Sequence, residues 1–168
     1  LKLKSLNVLK LNKNKIDSIP ETISNLKYLQ EINLSKNSLK HFPLSIISIT
    51  SLKRLILNQN LIKLIPPQIN SLTNLEYLDL WSNEIDDIPD TISELQLLKE
   101  LDLRVILFTK QEKIRIRELL PNTKIHFSNS CNCGYWQETQ TPFVTNPPTS
   151  TPPVKLEIEI IWLDESLQ

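Results

Sequence analysis

The amino-acid sequence predicts an α/β solenoid. In this fold a curved parallel sheet lines the concave face, irregular or 3-10 arms form the convex side, and a helix and a strand cap the C-terminal end. Three observations support this fold class. A pattern of seven apolar positions recurs at a fixed interval, an asparagine and a proline recur at the same interval, and the fifth copy changes into a helix-and-strand pattern.

The repeating unit is clearest between Leu75 and Leu95. It opens with LEYLDL, whose period of two is typical of a strand with one buried side. The same template fits three times before it, and all 28 apolar positions hold apolar residues in a chain that is only 40% hydrophobic. Its asparagines recur every 23 residues, at Asn14, Asn37, Asn60 and Asn83. Its prolines keep the same step, at Pro20, Pro43, Pro66 and Pro89.

This L-x-x-L-x-L-x-x-N pattern, with the isoleucine-rich arm that follows it, resembles the 23-residue class of leucine-rich repeats. That class occurs in bacterial proteins and in Ras-linked scaffolds of animals and plants. The resemblance covers roughly residues 3–127. It implies stacked coils that share a buried spine. For function it is less informative, because members of the family share a way of binding rather than one ligand.

The recurring asparagine and proline each have a predicted structural task. The asparagine amide is expected to bond backbone groups of its own and adjacent coils, and each such bond adds about 1 kcal/mol of stability. Proline suits an arm that donates no ladder hydrogen bond. Gly134 is the only glycine. The corners are therefore not made by glycines with positive φ, and we expect a stiff array.

The two ends of the repeat array are predicted to differ. Leu3 fits the last apolar position of an earlier unit, so we hypothesise further repeats upstream in the parent protein. The fifth unit places Ile106 in the asparagine position. It then continues with a capping box at residues 109–112, which predicts a helix over about 110–120 and then a short strand over 124–127. This segment resembles the terminal cap of bacterial leucine-rich-repeat proteins.

These patterns divide the chain into three parts. Residues 1–127 form the solenoid with its cap, and residues 128–153 form a Pro/Thr-rich linker. Residues 154–168 carry a tail strand, because apolar residues alternate with Lys155, Glu157 and Glu159. Two interpretations of this strand stay open. It begins a truncated further domain, or it adds to the sheet at the cap edge.

Composition excludes several classes of function. Nineteen basic and nineteen acidic side chains cancel, so no global charge favours nucleic acid or a membrane surface. No apolar run is long enough to span a bilayer, and no signal peptide opens the chain. Cys131 and Cys133 are too few for a zinc site, and we interpret them as free thiols or a local structural feature. The chain shows no pattern of disulfide-stapled caps, which favours a reducing compartment such as the cytoplasm without fixing it. No metal or other cofactor is expected.

The chain carries no motif of an enzyme. It contains no Gly-rich phosphate loop, G-x-S-x-G or H-E-x-x-H, and His126 is interpreted as an outward strand residue. Some bacterial effectors join leucine-rich repeats to a cysteine-dependent ubiquitin ligase. Cys131 and Cys133 lack that domain's helical surroundings, so we predict that the chain is not an enzyme.

The candidate binding residues lie at positions three, five, seven and eight of each unit, which are expected to point outward from the concave face. Lysines dominate early in the array and carboxylates late. The predicted partner-binding residues are Arg54, Ile56, Tyr77, Asp79, Trp81, Asp102 and Arg104. Trp, Tyr and Arg are the residues most enriched at binding hot spots. The competing interpretation is that Trp81 merely lies across its neighbours and binds nothing.

The predicted function is therefore recognition of a protein partner through the concave face, by a chain that is a monomer or a weak oligomer. The alternative is a structural role, in which the tail strand pairs between chains and the array acts as an oligomerisation scaffold.

Overall fold

The computed structural model describes residues 5–128 together with the backbone of Glu159–Ile161. Each repeat begins with one short strand, where the L-x-x-L-x-L segment buries alternate side chains. The strands of the repeats are β1 (Val8–Lys10), β2 (Glu31–Asn33), β3 (Arg54–Ile56), β4 (Tyr77–Asp79) and β5 (Glu100–Leu103). They pair in parallel with their sequence neighbours, as successive coils of a right-handed crossover must.

The register of the sheet follows the 23-residue period. Leu9 lies beside Ile32, and Leu55 lies beside Leu78, so equal positions of successive coils are direct neighbours. A single buried ladder results from this alignment. The predicted fold class, an open curved sheet with short arms, is thereby confirmed.

The core is the spine of apolar side chains between the strands and the arms. From the second coil to the fourth, its leucines and isoleucines are almost fully buried, and Leu29, Leu55 and Leu78 are 0% exposed. Burying one such side chain stabilises the fold by about 1.5–3 kcal/mol. Leu9 and Leu11 in the first coil are only partly buried. The core is therefore continuous but looser at its N-terminal end.

A 3-10 turn follows the repeated proline in each arm. The four turns span Glu21–Asn25, Leu44–Ser48, Pro67–Ser71 and Asp90–Glu94. The proline is extended in each case, for example with φ −68° and ψ 149° at Pro20, and its carbonyl accepts the first bond of the turn from Ile23. Proline thus sets the direction of the arm without giving up a ladder donor.

The repeated asparagines form the predicted column. Asn60 donates from Nδ2 to the carbonyls of Leu57 in its own coil at 2.8 Å and Leu34 in the preceding coil at 3.0 Å. Its Oδ1 accepts the backbone N–H of Leu39 at 3.1 Å. Asn37 and Asn83 repeat this arrangement one coil earlier and one coil later. Each amide therefore ties two coils together.

Asn14 holds only half of this arrangement. Its Nδ2 donates to Leu11 and Asn12 within the first coil, at 3.1 and 3.2 Å. Its Oδ1 is buried and has no hydrogen-bond partner among residues 5–128. In later coils that oxygen takes a donor from the preceding coil.

Each corner also contains one residue with positive φ, at the position just before the repeated asparagine or its substitute. None of these residues is glycine: they are Lys13 (59°), Lys36 (56°), Gln59 (53°), Ser82 (55°) and Val105 (62°). The left-handed conformation costs an L-residue roughly 1–2 kcal/mol. The absence of corner glycines was predicted, but the positive φ was not.

The C-terminal cap agrees with the prediction. Helix α1 (Lys110–Leu119) begins at a complete capping box, in which Thr109 and Glu112 exchange hydrogen bonds with each other's backbone. Ile116 is fully buried against the last coil. Strand β6 (Lys124–Phe127) then pairs in parallel with β5. Arg115 anchors the helix to the fourth arm, where it binds Asp87, Asp90 and the carbonyl of Ile88.

The tail strand lies at the other end of the sheet. Strand β7 (Glu159–Ile161) pairs antiparallel with β1, giving the order β6-β5-β4-β3-β2-β1-β7 within the described part of the chain. The interpretation that it adds to the sheet at the cap edge is therefore wrong, because β7 pairs with β1 and not with β6. The linker 128–153 and the two cysteines lie outside the described residues, except for Ser128.

Candidate functional site on the concave face

The concave face carries two arginine–aromatic pairs in neighbouring coils. We call the four residues Arg54, Tyr77, Trp81 and Arg104 the arginine–aromatic patch. Tyr77 and Trp81 belong to the fourth coil, while the third and fifth coils supply the arginines. The sequence prediction had grouped these side chains, and the parallel register brings them together.

The first pair joins Arg54 to Tyr77. These residues are direct neighbours in the β3–β4 register, and the guanidinium carbon lies 4.2 Å from the centre of the Tyr77 ring. Arg54 Nε also lies 3.2 Å from Glu31 Oε2. A carboxylate on one side and a ring on the other hold the guanidinium in place. Its side chain remains 47% exposed, so it still faces solvent.

The second pair joins Arg104 to Trp81. The guanidinium carbon lies 5.9 Å from the Trp81 ring centre, within the range of a cation–π contact. Asp102 holds the same guanidinium, with Arg104 Nη2 2.6 Å from Asp102 Oδ2. Trp81 is half-buried rather than fully exposed. Its ring therefore lies partly on its neighbours, and part of it still faces solvent.

Asp79 and Asp102 differ from the expectation that position five is open to solvent. They are only 7% and 5% exposed. Asp79 Oδ1 accepts the backbone N–H of Trp81, and Asp102 Oδ1 accepts that of Arg104. Asn33, two coils before Asp79, accepts the backbone N–H of Ser35 in the same way. These side chains therefore close the corner after each strand and orient the patch instead of presenting charge to a partner.

Burial and local partners shift the pKa values of the two aspartates in opposite directions. Burial raises the pKa of Asp79, against the opposing effects of the Asn58 amide and the Trp81 N–H. At Asp102 burial acts in the same upward sense, but the hydrogen bonds and charge of Arg104 outweigh it and lower the pKa. Burial, with the charge of Asp79, also raises the pKa of the Tyr77 hydroxyl. The tyrosine therefore stays a neutral donor.

Ile56 lies between the two pairs in the sheet. It is half-buried, and it is the neighbour of Asn33 on one side and Asp79 on the other. It supplies apolar surface at the centre of the face. All seven predicted binding residues thus belong to the strands and corners of the concave face, but the side chains of Asp79 and Asp102 are buried under it.

Four further residues of this face, Glu31, Glu100, Lys124 and His126, were not among the predicted site residues. Glu31 holds Arg54, as described above. Glu100 Oε1 lies 2.6 Å from His126 Nε2 and 4.0 Å from Lys124 Nζ, which makes a charged cluster at the cap end of the face. The register could have indicated this cluster, since Glu100 and Lys124 are direct neighbours between β5 and β6.

The described residues show no cluster of three or more His, Cys, Asp or Glu side chains that could hold a metal ion. Within the same residues, no helix has the length and apolar character needed to cross a membrane. The concave face therefore presents the guanidinium groups of Arg54 and Arg104, each bound to a carboxylate, together with two partly exposed aromatic rings and the apolar side chain of Ile56.

Stacked coils with a one-strand period, an asparagine column and an outward-facing polar sheet define a class of repeat proteins that present a rigid binding face. A family model described as "Leucine-rich repeat region" matches residues 1–123. The chain therefore belongs to the leucine-rich-repeat family. No curated protein sequence matches it.

Solved structures with the same fold come from bacteria and plants. A leucine-rich-repeat protein of Leptospira interrogans superposes with a TM-score of 0.59 at 24% identity, over 75% of this chain and 50% of that one. The LRR ectodomain of the Arabidopsis receptor kinase HAESA, in complex with an N-terminally extended IDA peptide hormone ligand, gives a TM-score of 0.57 at 29% identity, over 72% of this chain and 21% of that one.

The plant peptide hormone receptor RGFR1, in complex with RGF2, gives a TM-score of 0.53 at 34% identity, over 60% of this chain and 18% of that one. The chain therefore spans no more than half the length of any of these three proteins.

Proposed function

We propose that this chain recognises a protein partner through its concave face, and that the arginine–aromatic patch is the centre of the contact. The observation that carries the proposal is the stacking of two arginines on two aromatic rings in neighbouring coils. The role is one of binding without catalysis. Proteins of this family are generally non-catalytic and commonly serve as protein–protein interaction modules.

The patch has the composition of an interface centre. Partly exposed Tyr and Trp rings offer large contact area with few rotatable bonds, and arginine can bond a carboxylate or a carbonyl in the partner. Arg54 keeps about half of its side chain exposed, so a partner can reach its remaining N–H donors. A partner that covers the rings would also exclude water from the two ion pairs.

The patch is also held in place before any partner arrives. Glu31 and Asp102 each bind one of the arginines, and Asp102 is itself buried. Ordering a flexible side chain on binding costs about 0.5–1.5 kcal/mol. A site whose arginines are already fixed avoids part of that cost, which favours specific binding by shape.

The similar plant structures support this proposal at the level of the binding mode. RGFR1 and HAESA are both described in complex with peptide hormones. Their identities to this chain are 34% and 29% over partial coverage. They support a peptide segment as the kind of partner.

The test is to replace Tyr77 and Trp81 together with alanine and compare protein capture. Chain immobilised as wild type, Y77A/W81A or Y28A is exposed to extract of the source cells, and retained proteins are identified by mass spectrometry. Tyr28 is a matched control because it is 67% exposed and lies outside the strands. A partner of the concave face is retained by wild type and Y28A and is lost by the double variant.

Affinity for a captured partner is then measured by titration. Loss of two hot-spot aromatics is expected to weaken binding by about a hundredfold or more. Because both rings are half-buried, some loss of melting temperature is expected, and far-UV circular dichroism must show that the sheet persists. Equal binding by folded Y77A/W81A would place the contact elsewhere.

A second candidate function is an oligomerisation scaffold in which the tail strand pairs between chains. The observation that favours it is that the outer edge of β1 accepts β7 as an antiparallel strand. Sedimentation velocity over a wide concentration range separates the two candidates. A monomer that retains full partner affinity supports recognition through the concave face, whereas a dimer that needs residues 154–168 supports the scaffold.

A further inference from the structure

We propose that the partner contributes an extended acidic peptide segment, which lies across the coils with two carboxylates on the cationic rim of the concave face. The cationic rim is the set Lys13, Lys36 and Arg104, which stand in the corners after the first, second and fifth strands. This inference rests on the proposed concave-face function and adds the chemistry of the partner to it.

The carboxylates of the concave face are already held by the chain itself. Asp79 and Asp102 are buried and accept the corner N–H groups. Glu31 binds Arg54 and keeps only 23% of its side chain exposed, while Glu100 binds strand β6 and keeps 38%. The late coils are acidic in sequence, but burial and these contacts leave little negative charge for a ligand to meet.

The cations of the rim, in contrast, face solvent. Lys13 and Lys36 are exposed, and neither side chain has an ion pair within residues 5–128. Arg104 keeps 55% of its side chain exposed and bonds Asp102 through Nε and Nη2, so within the described residues its Nη1 donors carry no bond. A ligand that approaches this face therefore meets ammonium and guanidinium groups first, and these groups bind carboxylates.

The rim is continuous because backbone hydrogen bonds join successive corners. Lys36 donates to the Asn58 carbonyl at 2.9 Å, and Ser82 donates to the Arg104 carbonyl at 3.0 Å. The step between coils is the strand spacing of about 4.8 Å, so Lys36 and Arg104, three coils apart, are separated by about 14 Å. Trp81 lies between them, one coil before Arg104.

An extended peptide matches this separation. It rises about 3.4 Å per residue, so its residues i and i+4 are about 14 Å apart and point to the same side. Acidic side chains at i and i+4 can therefore reach Lys36 and Arg104 together. Residue i+2 points the same way and lies near the Trp81 ring, where an apolar side chain is favoured. The expected recognition pattern is acidic-x-apolar-x-acidic.

The arrangement of the rings favours a peptide over single-stranded nucleic acid. Proteins bind single strands by letting bases stack on open aromatic faces. Arg54 lies over the Tyr77 ring and Arg104 over the Trp81 ring, at 4.2 and 5.9 Å from the ring centres. Because each ring is also half-buried, little ring face is left for a base.

Fluorescence anisotropy with a short labelled peptide tests the proposal. The probe peptide consists of serine and glycine, except for two glutamates four residues apart and a leucine midway between them. The control peptide has the same composition but adjacent glutamates. We expect the probe peptide to bind the wild-type chain about tenfold more tightly, because only its carboxylates can reach both ends of the rim together.

Lys36→Glu is the variant and Lys40→Glu is its matched control. Lys40 belongs to the same coil and is also exposed, but it lies on the arm beyond the asparagine column. Both variants change the net charge equally, so only K36E differs by the loss of a contact at the rim. We expect K36E to weaken binding of the probe peptide about tenfold and K40E to weaken it less than about twofold.

Three results would overturn the proposal. The first is equal binding of the probe peptide by wild type and by K36E that circular dichroism shows to be folded. The second is no binding of the probe peptide to wild type at its highest soluble concentration. The third is tighter binding of an oligothymidylate of matched length, which would assign the rim to nucleic acid.

The protein partner captured by the immobilised chain separates this inference from the function on which it rests. If Y77A/W81A loses that partner while wild type, K36E and K40E bind it equally, the concave-face function stands and the acidic segment is wrong. If folded Y77A/W81A retains the partner while K36E loses it, the arginine–aromatic patch is not the centre of the contact and the cationic rim is.

Discussion

At the scale of single residues, the corners store strain that the repeat template does not reveal. Position eight of each coil has positive φ with a side chain that disfavours it. Val105 is the extreme case, because it is β-branched and has φ 62°. A β-branched residue in this region is a genuine conformational outlier. It is also 57% exposed, so its side chain contributes little packing in return.

We therefore predict that Val105→Asn stabilises the protein by about 1 kcal/mol, because asparagine tolerates the left-handed region. The measurement is the free energy of unfolding in urea. Leu107→Asn is the control: Leu107 is fully exposed and is not among the residues with positive φ, so its substitution should leave stability nearly unchanged. A V105N chain no more stable than wild type would mean that the corner carries no such strain.

The two buried aspartates give a residue-scale prediction about pH. The folded-state pKa of Asp79 is raised, so the folded chain holds this proton more tightly than the unfolded chain, whose Asp pKa is about 3.9. Its contribution to stability is therefore present in full below that value and is lost as the pH rises through the folded-state pKa. The pKa of Asp102 is lowered, so its contribution is present at neutral pH and is lost as the pH falls.

Asp79→Asn should accordingly be tolerated at neutral pH, and Asp102→Asn should not. Asn33 already occupies the equivalent position and makes the same corner bond to Ser35 at 3.0 Å, so an amide fits at position 79. Replacing Asp102 loses its ion pair with the half-exposed Arg104, at a cost of about 1 kcal/mol. Urea unfolding from about pH 3 to about pH 7 checks both. A larger loss in D79N than in D102N at neutral pH would contradict this assignment.

At the scale of elements, the asparagine column shows how one side chain joins two coils. Asn60 bonds Leu34 and Leu57 through its NH₂ group and accepts from Leu39, whereas Asn14 bonds only within its own coil. Both side chains are buried, at 5% and 9% exposed. The difference between them is therefore the number of partners and not the degree of burial.

We predict that Asn60→Ala destabilises the chain by about 3 kcal/mol and Asn14→Ala by about 1 kcal/mol. The first removes the bonds of Asn60 to Leu34, Leu57 and Leu39 and leaves the Leu39 N–H without its partner, whereas the second removes two bonds within one coil. Each lost bond costs on the order of 1 kcal/mol. Thermal and urea unfolding of the two variants provide the comparison. Equal losses would show that the bonds between coils add nothing to those within a coil.

The elements that sequence could predict are those fixed by local or periodic signals. The coils, the asparagine column and the capping box at Thr109 depend on residue spacing, and all three are present. The partner strand of β7 was not predictable from its own pattern. Alternation indicates a strand but carries no information about which edge of the sheet it joins.

The candidate site was predictable only where residue spacing determines which side chains are neighbours. The 23-residue register alone placed Arg54 beside Tyr77, and in the structure the guanidinium carbon of Arg54 lies 4.2 Å from the centre of the Tyr77 ring. The burial of Asp79 and Asp102 was missed, because a template that assigns position five to the outer face does not show the corner folding over it. The signal that could have revealed it is the recurrence of Asn or Asp at position five in three of the five coils, at Asn33, Asp79 and Asp102.

At the scale of the whole molecule, the first and last coils of the described residues are covered unequally. At the C-terminal end α1 buries Ile116, and Arg115 binds the fourth arm at three points. At the N-terminal end the described cover is the three-residue strand β7, and Leu11 remains partly buried. In a stack where each coil contacts only its neighbours, opening is easiest at the end with the weaker cover.

Equivalent amides in successive coils make this asymmetry measurable. Leu11, Leu34, Leu57 and Leu80 each donate to the next coil, to carbonyls at 2.7, 2.8, 2.9 and 3.0 Å. The shorter hydrogen bond would protect the Leu11 amide best from exchange, whereas the more complete stacking around the later coils would protect their amides best. We predict that stacking decides, so that the Leu11 amide exchanges at least tenfold faster than those of Leu57 and Leu80, with Leu34 between them. Native-state hydrogen exchange provides the measurement, and uniform protection of all four would mean that the coils open only together, with β7 and the helical cap equally strong.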